Sequence, residues 1–177
     1  FNRSHYEDVL VTRVHPELLE HEHLPGETNT PAFWQGRYSD IRHLEHYLSR
    51  QGTVVLKFFL HISREEQRKR LLARLDIPDK RWKFSTADLR EREFWNEYKS
   101  AYQDAIAGTA REHAPWTIVP ANQKWYARLV VIGTIIRALH NLNQTMPDPS
   151  PEITRQLDNY RDSLLNEETP PKNKKKS

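Results

Sequence analysis

The chain contains no cysteine, only five glycines and one methionine among 177 residues. Without cysteine there are no disulfides, thiolate metal sites or thiol nucleophiles, which fits a reducing compartment such as the cytoplasm. No run approaches the roughly 18 consecutive apolar residues of a membrane span, and no basic-then-apolar leader pattern opens the chain, so a soluble, cytoplasmic protein without membrane contact is expected. Charge of one sign is also scarce. Twenty-seven Lys and Arg against 24 Asp and Glu leave a net +3, too little to argue for general or specific nucleic-acid binding, so what matters is where the cations sit. The mean hydropathy of -0.86 points to long solvated segments around a core of one domain's size.

The apolar pattern alternates between strands and helices. Residues 1–15 read as a loop entering a helix or extended segment, and 16–38, rich in Pro and Gly, as an irregular surface connection with at most a short helix at Glu17–Glu20. Ser39 is expected to cap a helix carrying Ile41, Leu44 and Leu48 on one face and ending at Gly52. Thr53–Ile62, TVVLKFFLHI, is nearly continuous in β-branched and aromatic residues, as in a parallel strand covered on both faces. Ser63 with Glu66 three residues later forms a capping box that starts a helix through Leu75. A long helix follows from Ser85 or Thr86 to near Gly108, then a short strand at Trp116–Pro120 and a broadly apolar helix from Lys124 to about Leu142 that should pack on the sheet. Strand running directly into helix is α/β grammar, with a parallel sheet flanked by helices. From Met146 the sequence turns into a polar tail with one weak helix at Pro151–Leu165 and a terminal lysine run. The expected division is a domain over 1–143 and a flexible tail over 144–177.

Three constellations carry possible chemistry. In the helix after Ser63, Arg64 and Arg68 continue the stripe of Leu71, Leu72 and Leu75, while Arg70 and Arg74 form a second ridge. Guanidinium groups at a cleft mouth suit bidentate phosphate contacts, but the same arginines can snorkel or pair with Glu65 and Glu66. Asp79, Lys80, Arg81, Trp82 and Lys83 then place three cations in an inter-helix loop that can close on a polyanion or remain a solvated turn. Asn2, Arg3, Glu7 and Asp8 lie at the carboxyl edge of the sheet if a strand ends just before Phe1. There Arg3 can hold a phosphate and Asp8 or Glu7 a hydrated Mg²⁺ or an acceptor; the alternative is a loop whose side chains only bond backbone. The histidines at Glu20–His23 and at His43 and His46 have no third ligand in view, and the tryptophans read mainly as core aromatics.

FNRSHYEDVLVTRVHP resembles the segment at and after the Walker B strand of the polyphosphate kinase 2 family. SREEQRKRLLARLDIPDKRWKFSTADLRER resembles that family's lid module, and APWTIVPANQKWYARL its last strand and helix. The match runs in the family's order from Phe1 to about Leu142. The resemblance implies a P-loop kinase fold with a helical lid over about 63–90, and reversible Mg²⁺-assisted transfer of phosphate between inorganic polyphosphate and the adenine nucleotides AMP, ADP and ATP, in a homo-oligomer. The Asn-Arg-Ser opening and the Arg-Val-His-Pro run look more like the branch that takes AMP and ADP than the branch opening with Asp-Arg-Ser. By position, Arg3, Glu7 and Asp8 would be catalytic, with Asp8 toward the metal. Asn2 would join the acceptor side, and Arg64, Arg68, Lys80, Arg81 and Lys83 would belong to the phosphate-closing lid.

The sequence departs from the family in one respect. None of its five glycines precedes a lysine, so the glycine-rich phosphate loop, G-x-D-x-x-G-K in general form, is not in this chain. The chain is therefore expected to be the C-terminal part of the kinase domain, inactive or nearly so by itself. Two other classes fit the same cations: a non-catalytic polyanion-binding module, and an ATP-dependent nucleoside monophosphate kinase.

Overall fold

The computed structural model describes residues 5–166. Contacts divide the chain into two compact units, Phe1–Asn141 and Leu142–Ser177. In the first, α1 (Glu7–Val14), a 3₁₀ turn (Pro16–His21) and α2 (Pro31–Arg50) precede β1 (Lys57–His61). Next come α3 (Arg64–Asp76), a 3₁₀ turn (Pro78–Lys83), α4 (Thr86–Glu91), a 3₁₀ link (Arg92–Phe94) and α5 (Trp95–Thr109). Strand β2 (Trp116–Pro120) and α6 (Lys124–Asn141) complete the unit. The second unit holds α7 (Pro151–Leu165), whose cap Ser150 accepts from the Ile153 amide.

β1 and β2 pair in parallel with Lys57 opposite Trp116 and His61 opposite Pro120. The connection between them runs through α3, α4 and α5, so both strands end on the same side, as a βαβ crossover requires. The core lies where α1, α2 and α5 converge: Val9, Leu10, Leu19, Trp34, Tyr38, Ile41, Ala101 and Ala105 are all buried there. The small Ala101 and Ala105 let α5 approach α1 closely, and Tyr102 carries the packing on to β1 through a 4.7 Å ring contact with Phe59.

Several boundaries differ from the sequence reading. α2 begins at Pro31, eight residues before Ser39: Thr30 accepts from the Phe33 amide at 3.2 Å, and Pro31 occupies the first helical position, where a missing N–H costs nothing. Its end at Gly52, with φ +83°, is as expected. The strand is shorter than Thr53–Ile62; only Lys57–His61 pairs with β2, and its burial fades toward Leu60 and His61. The helix from Thr86 is not continuous, because Arg92–Phe94 tightens into a 3₁₀ turn that redirects the chain. α6 has the expected bounds, yet none of its residues is buried: Trp125 is 65% exposed and Leu129 60%.

Candidate functional site

A cleft of about 880 Å³ opens beside the carboxyl end of β1. Its walls come from six segments: Tyr6, Glu7, Leu10 and Val11 of the α1 region, Phe58–Ile62 of β1 and its exit, Ser63, Arg64 and Gln67 at the start of α3, Glu91 at the end of α4, Trp95, Tyr98, Lys99 and Tyr102 of α5, and Trp116 of β2. Chain direction explains the location. β1 delivers the chain into α3 after two residues, so the free amides of the first turn of α3 stand at the sheet's carboxyl edge, where anions are favoured.

That turn is firmly built. Ser63 Oγ accepts from the Glu66 amide at 3.1 Å, as the capping box predicts. The reciprocal half is rerouted: the Ser63 amide donates to Asn122 Oδ1 at 2.9 Å, and Glu66 takes Arg70 instead. Arg70 also donates to the Ala121 and Asn122 carbonyls at 2.6 and 3.2 Å, tying α3 to the end of β2. Arg92 stitches the far side, donating to the Arg64 carbonyl at 2.9 Å and to Gln67 Oε1 at 2.6 Å.

Beneath the cleft lies a buried polar knot. The Lys57 ammonium donates to Glu45 Oε2 at 2.8 Å, to the Thr109 carbonyl at 3.0 Å and to Tyr6 Oη at 3.1 Å, which uses all three of its protons. Tyr6 donates to Glu45 Oε1 at 2.8 Å, and Trp116 Nε1 donates to Thr109 Oγ1 at 2.9 Å. Burial works against the charge of Glu45, but neighbouring His5, Lys57 and Tyr6 outweigh it and hold the carboxyl below its ordinary range. Burial also pulls Lys57 down and pushes the Tyr6 hydroxyl up. The knot locks Tyr6, immediately before α1, onto α2, β1 and the end of α5.

At the other end of α1, His15 Nε2 lies 2.9 Å from Glu91 Oε2 and Nδ1 lies 3.3 Å from Glu17 Oε1. Tyr98 donates to the same Glu91 oxygen at 2.7 Å. Glu91 raises His15 above its ordinary value, and His15 with Tyr98 lowers Glu91. Burial, then Glu91, raises Tyr98. This contact joins the end of α1 to the helix that follows the basic turn.

The structure brings Glu7 and Arg64 to one cleft although 57 positions separate them. The other expected site residues lie elsewhere. Asp8 is exposed, and its carbonyl, not its carboxylate, receives Thr12 Oγ1 at 2.7 Å and Arg37. Arg68 is exposed and forked onto Glu65 through two bonds of 2.9 and 3.1 Å, the local pairing considered above. Arg81 donates to the Leu75 carbonyl, and the Lys83 ammonium sits 4.9 Å from the centre of the Trp82 ring. Those two residues and Lys80 do not line the cleft. Asn2 and Arg3 lie outside the described residues. Lys99 and Gln67, both cleft residues, were not anticipated. Lys99 stands four residues after Trp95 and three before Tyr102, so helical spacing already placed a cation within that aromatic stripe.

The described residues contain no group of three or more His, Asp or Glu arranged to hold a metal. Of the two carboxylates expected near a metal only Glu7 lines the cleft; one carboxylate there fits Mg²⁺, which keeps most of its water and needs one or two carboxylates beside substrate phosphates.

The family model of polyphosphate kinase 2 matches residues 1–147. The chain belongs to the polyphosphate kinase 2 family. An ADP-polyphosphate phosphotransferase from Rhodopseudomonas palustris is 47% identical over 166 residues, covering 93% of this chain and 57% of that protein. An AMP/ADP-polyphosphate phosphotransferase from Meiothermus ruber is 47% identical over 149 residues, covering 84% and 52%. The crystal structure of polyphosphate kinase 2 from Arthrobacter aurescens TC1 superposes with a TM-score of 0.80 at 41% identity, over 92% of this chain and 53% of that one. The chain thus spans about half the length of these polyphosphate kinase 2 relatives, and its α/β fold with a small parallel sheet among many helices is similar to that of the Arthrobacter aurescens structure. No helix among the described residues is long and apolar enough to cross a membrane.

Proposed function

We propose that this chain carries the acceptor-side helix and the phosphate-closing segment of a polyphosphate:nucleotide phosphotransferase that moves phosphate reversibly between inorganic polyphosphate and ADP or AMP. The observation that carries this reading is the meeting of Glu7 and Arg64 in one cleft at the carboxyl end of β1, within a chain of this family. In the forward direction a terminal phosphate oxygen of the nucleotide attacks the end phosphorus of polyphosphate. The bond to the rest of the chain breaks, and the polymer leaves one unit shorter.

The residues divide the labour by charge. Arg64 and Lys99 face the cleft and offset phosphate charge, while Arg68, Lys80, Arg81 and Lys83 form a lid whose weak local pairings are exchanged for phosphate oxygens on closure. Arg3 and Asn2 hold the acceptor phosphate. Glu7, with Asp8 one residue on, would orient it and hold a hydrated Mg²⁺, which when bound would neutralise phosphate charge. The knot under Tyr6 keeps the start of α1 in place.

The isolated chain has no glycine-rich loop with a following lysine, so we expect it to bind phosphate chains but transfer them slowly. The test measures ATP formation from ADP and polyphosphate by the isolated chain, alongside polyphosphate binding to the wild type and to Arg64→Ala. Expected are negligible turnover and binding that weakens about tenfold or more in the variant. Brisk turnover would refute the predicted inactivity; binding indifferent to Arg64→Ala, or RNA of any sequence binding equally well, would refute the assignment of the cleft.

A further inference from the structure

A second cleft, of about 710 Å³, shares no lining residue with the first. It is bounded by the end of α1, by α2 and by the last turn of α5, near the start of β2 and not its end. Arg13, Arg42 and Arg111 line it, and Asp104 is the only carboxylate among its walls. Three guanidinium groups against one carboxylate leave an excess of two positive charges.

These arginines keep most of their donors. A guanidinium has five N–H groups, yet Arg42 spends one on the Gly108 carbonyl at 2.8 Å and Arg111 one on the Ala110 carbonyl. Arg13 reaches Asp104 only at 3.4 Å, a poor bond, and its guanidinium carbon lies 4.8 Å from the Trp34 ring centre, a cation–π contact. Tyr38 supplies an independent sign. Its residue is 2% exposed, it lines this cleft, and its hydroxyl has no hydrogen-bond partner among the described residues. A buried hydroxyl left unpaired is costly, and an acceptor entering the cleft removes that cost. Gly108 lets the site form: a Cβ there would stand 3.0 Å from the Tyr38 ring.

We infer that this cleft is a separate binding site for a short phosphate chain, with the forks of Arg13, Arg42 and Arg111 taking phosphate oxygens and the Tyr38 hydroxyl donating a further bond. Planar, permanently charged forks match phosphate better than ammonium groups do, and several of them suit an anion of more than one unit. The chain's end can come from inorganic polyphosphate or from a nucleotide. The site stands independently of the assignment of the first cleft.

Calorimetric titration of the chain tests it with tripolyphosphate, ADP and citrate, the last a polycarboxylate control. Tripolyphosphate is expected to bind wild type and Arg64→Ala with one site in common, and the Arg42→Ala/Arg111→Ala double variant at least tenfold more weakly at that site. Tyr38→Phe should weaken binding several-fold without lowering the melting temperature. Tighter binding of tripolyphosphate than of ADP assigns the source to inorganic chains, and the reverse assigns it to a nucleotide. Should the double variant fail to fold, Arg42→Lys/Arg111→Lys, which keeps charge and loses the forks, takes its place with the same expected weakening. Undiminished binding in the variant that folds, complete loss in Arg64→Ala, or citrate binding as tightly as tripolyphosphate overturns the proposal.

Discussion

Lys57 with Glu45, and Arg68 with Glu65, are ion pairs of nearly equal length, 2.8 and 2.9 Å, in opposite surroundings. The first is sealed beneath the cleft and shares Tyr6 and Thr109 with elements distant in sequence; the second lies along one exposed helix face and involves only its own turn. Desolvation decides what each can do. A buried charge cannot leave its partner without a large penalty, so the Lys57 pair acts as architecture. Water competes with an exposed pair at almost no cost, so Arg68 can release Glu65 when a stronger anion arrives.

The largest expected effect breaks the buried side of this contrast. Glu45→Ala leaves the Lys57 ammonium buried and unpaired, costing about 3–5 kcal/mol, and chemical denaturation should show it as a lower midpoint at unchanged slope. Glu45→Leu combined with Lys57→Met should recover most of the loss. If the single variant is as stable as wild type, the knot is not the architectural element described.

An intermediate case is His15 with Glu91. His15 is raised in the folded state, so its contribution is complete below its ordinary pKa of 6.5 and fades as pH rises through the raised value. Glu91 is lowered, so its contribution is complete above the ordinary 4.5 and fades as pH falls through the lowered value. The pair therefore stabilises most between these limits, by less than about 1 kcal/mol. Melting curves across pH should lose one to three degrees, as a rough figure, on leaving the window, and His15→Gln should flatten the high-pH side.

The smallest effect belongs to the exposed pair. Arg68→Ala should shift the melting temperature by less than about one degree, as differential scanning calorimetry can check, while weakening polyphosphate binding. A fall comparable to that of Glu45→Ala would erase the distinction between the two regions.

The sequence made the periodic parts of this fold legible and hid the parts that depend on distant partners. TVVLKFFLHI and WTIVP announced their strands, Ser63 announced its helix, and Gly52 its stop, since each signal is local. The start of α2 is hidden among glycine and prolines, although Thr30–Pro31 is itself a cap followed by a first-position proline. Arg64 and Glu7 were legible as residue types suited to phosphate and metal chemistry, but their meeting depends on the βαβ crossover. The knot was invisible for a sharper reason: Lys57 sits inside an apolar run and Glu45 on an ordinary amphipathic helix, and only the tertiary fold buries the one against the other. Tyr38 closes the stretch 16–38 that reads as a surface connection, and its burial and the unpaired state of its hydroxyl among the described residues depend on the tertiary fold.

The fastening of α3 sets the mechanics of this half of the molecule. Ser63 is held by Asn122, and Arg70 grips the carbonyls of Ala121 and Asn122, so the base of the helix is clamped to the end of β2. Arg74 meets Asp88 at 2.6 Å, bracing its outer end against α4. These contacts brace α3 at both ends. The backbone first leaves the helical region at Ile77, just before Pro78 and the six-residue basic turn Pro78–Lys83. α3 is thus anchored to the sheet at its base and only to a neighbouring helix at its tip.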